Sequence, residues 1–353
     1  MIKSSFKIGI FINSNTKEHS TNWSFPWIEY CKQNNLSYQL IEPFSQDIIQ
    51  SMKTIDLLLW HFSGYNFQEM LFARSIIYTA KRINIKVFPD FNDAWHFDDK
   101  IAETYLLQGV SAPIPKSYMF FHPRNVLEFI DANPKYPLVA KLRNGSGSHN
   151  VKKIDNSNQL VTYSNQMFSK GFSSSPKLIY KSVSNIRSTT SWNSFVKRFK
   201  RIPEFLQTLK SSKLFPNEKQ YVFLQEFIPN DGYDLKVVVV GNKLSFIGRH
   251  IRKGDFRASG GGSLFYDTSF ITKNVIDIAF KTSNDLGFKC MGYDFVINNE
   301  TGEAKIVEIS YGFSHQALVN AGFYFNREGE LFFEPLNAPY EILANLLHHE
   351  KPK

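Results

Sequence analysis

At 353 residues with a formal net charge of +9, the chain is long enough for two or three domains with a sizeable core. It is basic enough to suit an anionic partner: nucleic acid, an acidic lipid surface or an anionic substrate. A hydrophobic content of 42% with 33 Phe excludes a disordered chain, and no stretch reaches the roughly 18 uninterrupted apolar residues of a membrane span. Cys31 and Cys290 show neither metal-ligand spacing nor a disulfide framework, so the expected location is a reducing cytoplasm.

The first twelve residues place an early lysine before an apolar run too short for a secretory signal, and it reads as a first buried strand. Lys7-Ile-Gly-Ile-Phe-Ile12, Asp56-Leu-Leu-Leu-Trp60 and Ile85-Lys-Val-Phe88 are short apolar runs separated by helix-length segments. This pattern predicts a small α/β domain with a parallel sheet over residues 1–95. A helix is expected over His96 to Leu107, with Ile101, Tyr105 and Leu106 on its apolar face, closed by Gly109 and Pro113-Ile-Pro115.

Strands are predicted at 138–142, 221–228, 235–240 and 244–247, separated by Asp231-Gly and Gly241-Asn turns. The intervening residues 155–217 are rich in Ser and Lys, and Trp192-Asn-Ser-Phe-Val-Lys-Arg-Phe-Lys-Arg201 interleaves aromatic and basic side chains. An amphipathic insertion with a solvated basic face is the plainer reading; a phosphate-lined or membrane-facing helix is the other. A closing helix begins at Pro339. Two further units follow the first domain, 96–217 and 218–353.

Three segments carry candidate chemistry. Gly292-Tyr-Asp-Phe-Val-Ile297 and Lys305-Ile-Val-Glu-Ile-Ser310 each set one carboxylate, Asp294 or Glu308, in a β-branched apolar run, where an unpaired buried charge costs several kcal/mol. Adjacent antiparallel strands would bring both to one hard cation such as Mg²⁺; two unrelated edge-strand acids are the alternative. Tyr136-Pro-Leu-Val-Ala-Lys-Leu-Arg-Asn-Gly-Ser-Gly-Ser-His-Asn-Val151 joins a strand bearing Lys141 to a small-residue loop, whose N–H groups can approach phosphate oxygens. An ordinary hairpin turn is equally compatible, and neither a Walker A loop nor a dinucleotide fingerprint is present. In Gly248-Arg-His-Ile-Arg-Lys-Gly-Asp-Phe-Arg-Ala-Ser-Gly-Gly-Gly-Ser263, Arg249 and Arg257 can offer planar forks to a phosphoryl group or carboxylate. His250 and Arg252 are expected on the opposite face.

In chain order, Lys100, Lys141 with its glycine loop, Gln225-Glu-Phe-Ile228, Asp234, a basic strand ending in Arg257, Asp294 and Glu308 resemble the ATP-grasp superfamily. The resemblance is closest to its ribosomal-protein glutamate-ligase-like branch and covers residues 96 to 315. It implies an α/β (α+β) architecture, an ATP-grasp fold preceded by a partner α/β domain. It makes Lys100 and Lys141 phosphate-facing, and Asn144, Gly145, Ser146, Gly147, Ser148 and His149 a lid over the triphosphate. Main-chain groups of Gln225, Glu226, Phe227 and Ile228 would read the adenine edge. Asp234 would meet the ribose or order a basic neighbour. Asp294, Glu308 and Ser310 would hold Mg²⁺, or Mn²⁺ in its place. Two departures stand out: the second metal segment usually ends Glu-x-Asn where this chain has Glu308-Ile-Ser310, and related ligases often carry Arg at the position of Lys236.

The function so implied is ATP-dependent ligation of a carboxylate to an amine through an acyl phosphate, with Arg249 and Arg257 on the phosphoryl group. It needs no nucleophilic Ser or Cys, and no G-x-S-x-G motif is present. Phe256-Arg-Ala-Ser-Gly together with Glu308-Ile-Ser-Tyr-Gly-Phe313 looks like ATP-grasp proteins of bacterial surface-polysaccharide assembly, which suggests a uronic acid joined to an amino compound. The expected partners are thus a small-molecule or glycan carboxylate and an amine, with no nucleic acid; the oligomeric state is left open, a homodimer included. Two alternatives stand beside this reading. One is a kinase of the same fold acting on a hydroxyl of a polyanionic polyol, with substrate phosphates held by the Arg-rich segment and the insertion. The other is a non-catalytic nucleotide- or nucleic-acid-binding module, marked by steeply salt-dependent binding.

Overall fold

The computed structural model describes residues 6–12, 22–64, 66–145, 150–173, 214–252, 255–257 and 263–348. The basic insertion around Trp192 to Arg201 and the loop residues Ser146, Gly147, Ser148 and His149 lie outside the described residues. The first described unit is a parallel four-stranded sheet ordered β2-β1-β3-β4. Its strands are β1 (Ile8–Phe11), β2 (Tyr38–Ile41), β3 (Leu57–Leu59) and β4 (Lys86–Phe88), linked by α1 (Ser24–Gln33), α2 (Ile48–Met52) and α3 (Phe67–Arg82). The inner strands β1 and β3 are buried at every residue, as a sheet covered on both faces by crossover helices requires. Edge strand β2 had no apolar run to announce it: only Ile41 is buried, and Leu40 is 53% exposed.

Gly9 in β1 shows how tightly this layer packs. A Cβ there would overlap Ile55 Cδ1 and lie 2.7 Å from Ile41 Cδ1, and both isoleucines are buried. Gly9→Ala is therefore expected to cost about 1–3 kcal/mol of unfolding free energy through overpacking, read as a lower urea midpoint at unchanged slope. An unchanged midpoint would show that the neighbours simply move aside.

After the short α4 (Phe91–Ala94), helix α5 runs over Lys100–Gly109, four residues later than the sequence pattern suggested. Asp99 sets the start: its side chain accepts the Ala102 N–H at 3.1 Å, a cap contributing about 0.5–2 kcal/mol. The expected buried face is also corrected. Lys100, Ile101, Glu103, Thr104 and Leu107 are buried, whereas Tyr105 is 50% exposed. The helix packs a polar face inward because that face looks onto the charged strands described below.

The next unit contains β5 (Ser117–Phe120), α6 (Pro123–Asp131), β6 (Leu138–Lys141), β7 (Lys152–Ile154), α7 (Ser157–Met167), β8 (Phe172–Ser173), β9 (Asn217–Glu218) and β10 (Val222–Glu226). An antiparallel sheet ordered β5-β10-β6-β7 forms here, with β8 and β9 pairing separately. Val126 of α6 and Leu160, Tyr163 and Met167 of α7 join its inner residues in a core of its own.

The last unit runs through β11 (Tyr233–Val240), β12 (Lys243–His250), β13 (Leu264–Phe265), α8 (Lys273–Leu286), β14 (Cys290–Ile297), β15 (Ala304–Ser310), α9 (His315–Ala321), β16 (Tyr324–Phe325), β17 (Leu331–Phe332) and α10 (Ala338–His348). Its antiparallel sheet is ordered β15-β14-β11-β12-β16-β17, with β13 also on β12. This sheet and the parallel sheet share one hydrophobic core. Trp27 Nε1 donates to the Pro339 carbonyl at 3.0 Å, and the Tyr311 hydroxyl to the Phe62 carbonyl at 3.1 Å. Among the described residues, no helix is long and apolar enough to cross a membrane.

Candidate functional site

Strands β14 and β15 pair antiparallel with Asp294 directly opposite Glu308 and Gly292 opposite Ser310, and a bulge follows Asp294. On the other side of β14, Asp294 faces Lys236 of β11, and one hairpin further Asp234 faces Arg249 of β12. Strand alternation thus collects these side chains on one face of four neighbouring strands. Lys236 Nζ lies 2.7 Å from Asp294 Oδ1, and Arg249 Nη2 lies 3.1 Å from Asp294 Oδ2. Burial alone would push the Asp294 carboxyl up, but the Arg249 and Lys236 charges outweigh it and hold it well below the usual carboxylate range.

Arg249 donates to Asp234 through Nε, at 3.0 Å to Oδ2 and 3.2 Å to Oδ1, and through Nη2. Asp234 is fully buried, so burial pushes its carboxyl up while Arg249 pulls against that. Of the two roles expected for Asp234, the geometry fits the second, and the expectation for Arg249 changes. Asp234 has no surface to offer a ribose and instead orders a basic neighbour. Arg249 spends its fork on two carboxylates, so it fixes Asp294 in place rather than facing a substrate.

Above the carboxylate row stand the two lysines. Lys100 Nζ donates to the Gly145 carbonyl at 2.7 Å and lies 3.4 Å from Glu308 Oε1 and 3.9 Å from Asp98 Oδ1. Burial would weaken its charge, yet Glu308 and Asp98 overcome this and raise its basicity. Lys141 Nζ reaches across from β6 to the Val307 carbonyl at 3.0 Å. Its ammonium is lowered to about 8 by burial, with Glu308 opposing and Lys100 adding to the fall. Glu103, which the sequence reading missed, is buried one helical turn beyond Lys100 and accepts the Ile309 N–H at 3.3 Å. Burial first, then repulsion by Glu308, raise its carboxyl well above the ordinary value. The signal was the i, i+3 spacing from Lys100, which puts two ionisable groups on one helix face.

The described start of the glycine loop is clamped at both ends. The Arg143 N–H donates to the Tyr221 hydroxyl at 2.7 Å, and its guanidinium pairs with Asp99 at 3.0 Å and Glu218 at 3.2 Å. Past Asn144, the Gly145 N–H donates to Asp98 Oδ1 at 3.2 Å, while its carbonyl takes the Lys100 ammonium. Gly145 has φ of 132°, a conformation that favours glycine.

Between β6–β10 and β14–β15 runs a cleft whose apolar walls include Val139, Phe227, Ile228, Phe256 and Val296, with Lys141, Glu308 and Arg257 supplying charge. Gln225 is buried, and its amide donates to Ser117 Oγ at 3.1 Å. The Glu226 N–H goes to the Lys116 carbonyl at 2.9 Å and the Phe227 N–H to the Pro137 carbonyl at 3.4 Å. All four linker residues line the cleft, but these two amides are committed to backbone partners. Glu226 Oε1 accepts from the Tyr118 hydroxyl at 3.2 Å. Arg257, held by Asp255 at 2.6 Å, stands on the cleft wall.

Ser310 exchanges hydrogen bonds with Gly312, accepting its N–H and donating to its carbonyl, each at 3.1 Å. Among the described residues, no group of three or more His, Cys, Asp or Glu is placed to hold a metal. What exists is a facing pair of hard oxygen donors, each with a cation already beside it: Lys236 on Asp294 and Lys100 on Glu308. That fits Mg²⁺ in the form that keeps one or two carboxylates and takes its other ligands from water and phosphate.

No protein-family model matches the sequence, and a search of curated proteins finds no match. Solved structures do match. The VanG D-Ala:D-Ser ligase from Enterococcus faecalis is 15% identical with a TM-score of 0.58, over 97% of this chain and 99% of that one. D-alanine–D-alanine ligase from Bacillus anthracis complexed with ATP is 13% identical with a TM-score of 0.55, over 98% and 99%. A RimK domain protein described as ATP-grasp, from Sphaerobacter thermophilus, is 12% identical with a TM-score of 0.53, over 97% and 99%. At such identities the likeness is one of shape, and it runs through the parallel-sheet unit as well as the two antiparallel ones. The chain has the ATP-grasp fold.

Proposed function

We propose that the protein is an ATP-dependent ligase that joins a carboxylate to an amine through an acyl phosphate, producing ADP. One observation carries the proposal: Asp294 and Glu308 face each other on neighbouring strands, and Glu308 lines one cleft with Lys141 and the Gln225–Ile228 linker. Two of the structures it resembles are ligases by name, one of them solved with ATP, and this supports the reading. Adenine would lie between the apolar walls with its edge at the Ile228 N–H, and the triphosphate would run toward Lys141 and Lys100. Lys100, tied to Gly145, would link the phosphates to the described start of the glycine loop.

Mg²⁺, held by Asp294 and Glu308 with Ser310 at most through water, would neutralise charge on the transferring phosphoryl group. A substrate carboxylate oxygen forms a bond to the γ-phosphorus as the bond to ADP breaks. The amine nitrogen then bonds to the acyl carbon, phosphate leaves with the C–O electrons, and the ammonium proton is lost to solvent. Arg257 faces the phosphoryl and the tetrahedral oxyanion, while Arg249 keeps Asp294 aimed. The likeness of Phe256-Arg-Ala-Ser-Gly and Glu308-Ile-Ser-Tyr-Gly-Phe313 to ATP-grasp proteins of surface-polysaccharide assembly supports a uronic acid as the carboxylate, in surface-polysaccharide synthesis in the cytoplasm, and the +9 charge is compatible with such an acidic glycan precursor.

Hydroxylamine tests the chemistry. With Mg-ATP and a panel of uronic and amino acids, the protein is expected to form a hydroxamate stoichiometric with ADP. ADP release accompanied by a phosphate ester and no hydroxamate would replace the ligase reading with that of a kinase.

A further inference from the structure

A second cavity, of about 960 Å³, lies at the opposite end of β11 from Asp234, where the parallel-sheet unit meets the antiparallel sheet. Its floor is apolar, made by the buried Phe88, Phe288, Ile342 and Leu346. Its rim is cationic: Lys81, Lys86, Lys243, Lys289 and Arg327 surround it, against two carboxylates, Asp90 and Glu341. Those carboxylates are already shared out. Asp90 lies 3.1 Å from Lys81 and 3.5 Å from Lys289, and Glu341 lies 2.8 Å from Lys243. Arg327, exposed, donates to the Asn242 amide oxygen at 2.9 Å, an uncharged partner, so the rim keeps a net positive charge.

A volume near the upper end of the roughly 300–1,000 Å³ usual for small-molecule sites, with an apolar floor and a few polar groups above it, has the anatomy of a ligand pocket. We infer that this cavity binds a small amphiphilic anion, a carboxylate or phosphate carried on an aromatic or aliphatic body, independently of the nucleotide cleft. The body would cover the phenylalanine floor, and the anionic head would bridge the β11–β12 turn side of the rim, at Arg327, and the Lys289 side. Such a ligand would sit at the roots of β11 and β14, the strands that carry Lys236 and Asp294.

The probe is 8-anilinonaphthalene-1-sulfonate, titrated by fluorescence into the full-length protein with and without saturating Mg-ATP. Its neutral counterpart is N-phenyl-1-naphthylamine. Two variants examine the site from different sides: Lys289→Gln/Arg327→Gln removes rim charge, and Asn345→Trp fills the cavity, which Asn345 lines. The sulfonate is expected to bind at least tenfold more weakly to both variants, with Mg-ATP affinity and melting temperature unchanged, and the neutral compound at least tenfold more weakly than the sulfonate to the unaltered protein. Equal sulfonate affinity in the variants, equal affinity for the neutral compound, or displacement by Mg-ATP would each overturn the inference. Failure of Mg-ATP to bind would count against the ligase reading alone and leave the fluorescence result standing.

Discussion

Asp294→Asn is expected to lower Mg-ATP-dependent ADP release at least about 10²-fold and also to cost roughly 3–5 kcal/mol of stability. The amide keeps the shape but removes a buried charge from between Lys236 Nζ at 2.7 Å and Arg249 Nη2 at 3.1 Å. Arg249 still has Asp234, so Lys236 is the cation left without compensation. The sign of the pH effect follows from the depressed Asp294 carboxyl: the unfolded chain takes up its proton first in acid, so this stabilisation holds above about pH 3.9 and is lost as pH falls below it. Two roles for Asp294, holding a metal or merely neutralising Lys236, separate in the double variant Lys236→Met/Asp294→Asn. Neutralisation alone predicts that both stability and turnover return. Metal binding predicts that the denaturation midpoint recovers while ADP release stays low. Turnover of Asp294→Asn within a few-fold of the unaltered protein would remove the metal assignment altogether.

The difference between what was legible in the sequence and what was not follows from how local each signal is. A lone acid in a β-branched run is conspicuous because burial makes it costly, so Asp294 and Glu308 stood out without any structure. Their register did not, because the bulge after Asp294 shifts the pairing by a residue and no side chain announces it. The Asp234–Arg249 pair was within reach: the two-residue Gly241-Asn242 turn sets Val240 against Lys243, and counting back along the hairpin brings Asp234 to Arg249. Periodicity misled at α5. Its inward face carries Lys100, Glu103 and Thr104, so a search for apolar recurrence turned Tyr105 inward when it is exposed. A helix facing a charged site inverts the usual pattern. The single core joining the parallel sheet to the last sheet depends on contacts such as Trp23 with Phe313, residues 290 apart, for which no local pattern exists.

Lys141 carries the other large effect. It is buried, and its ammonium is lowered to about 8, against about 10.4 in an unfolded chain. Between those values the unfolded chain holds more protons than the folded one, so stability is expected to rise with pH across that window, by up to about 3 kcal/mol. Lys141→Met should abolish that slope and, if Lys141 faces the triphosphate as proposed, also weaken ATP binding. In the ligand-free protein Lys141 loses its charge as pH rises through about 8, and a triphosphate beside it restores the ammonium. Binding of Mg-ATP at pH 8.5 to 9 should therefore draw in close to one proton, measurable by calorimetry in two buffers of different ionisation enthalpy. Lys141→Arg keeps a charge that does not titrate in this range, so its proton uptake should vanish even though ATP still binds. Equal uptake in the arginine variant would move the titrating group elsewhere, and no uptake in the unaltered protein would mean that the triphosphate does not lie against Lys141.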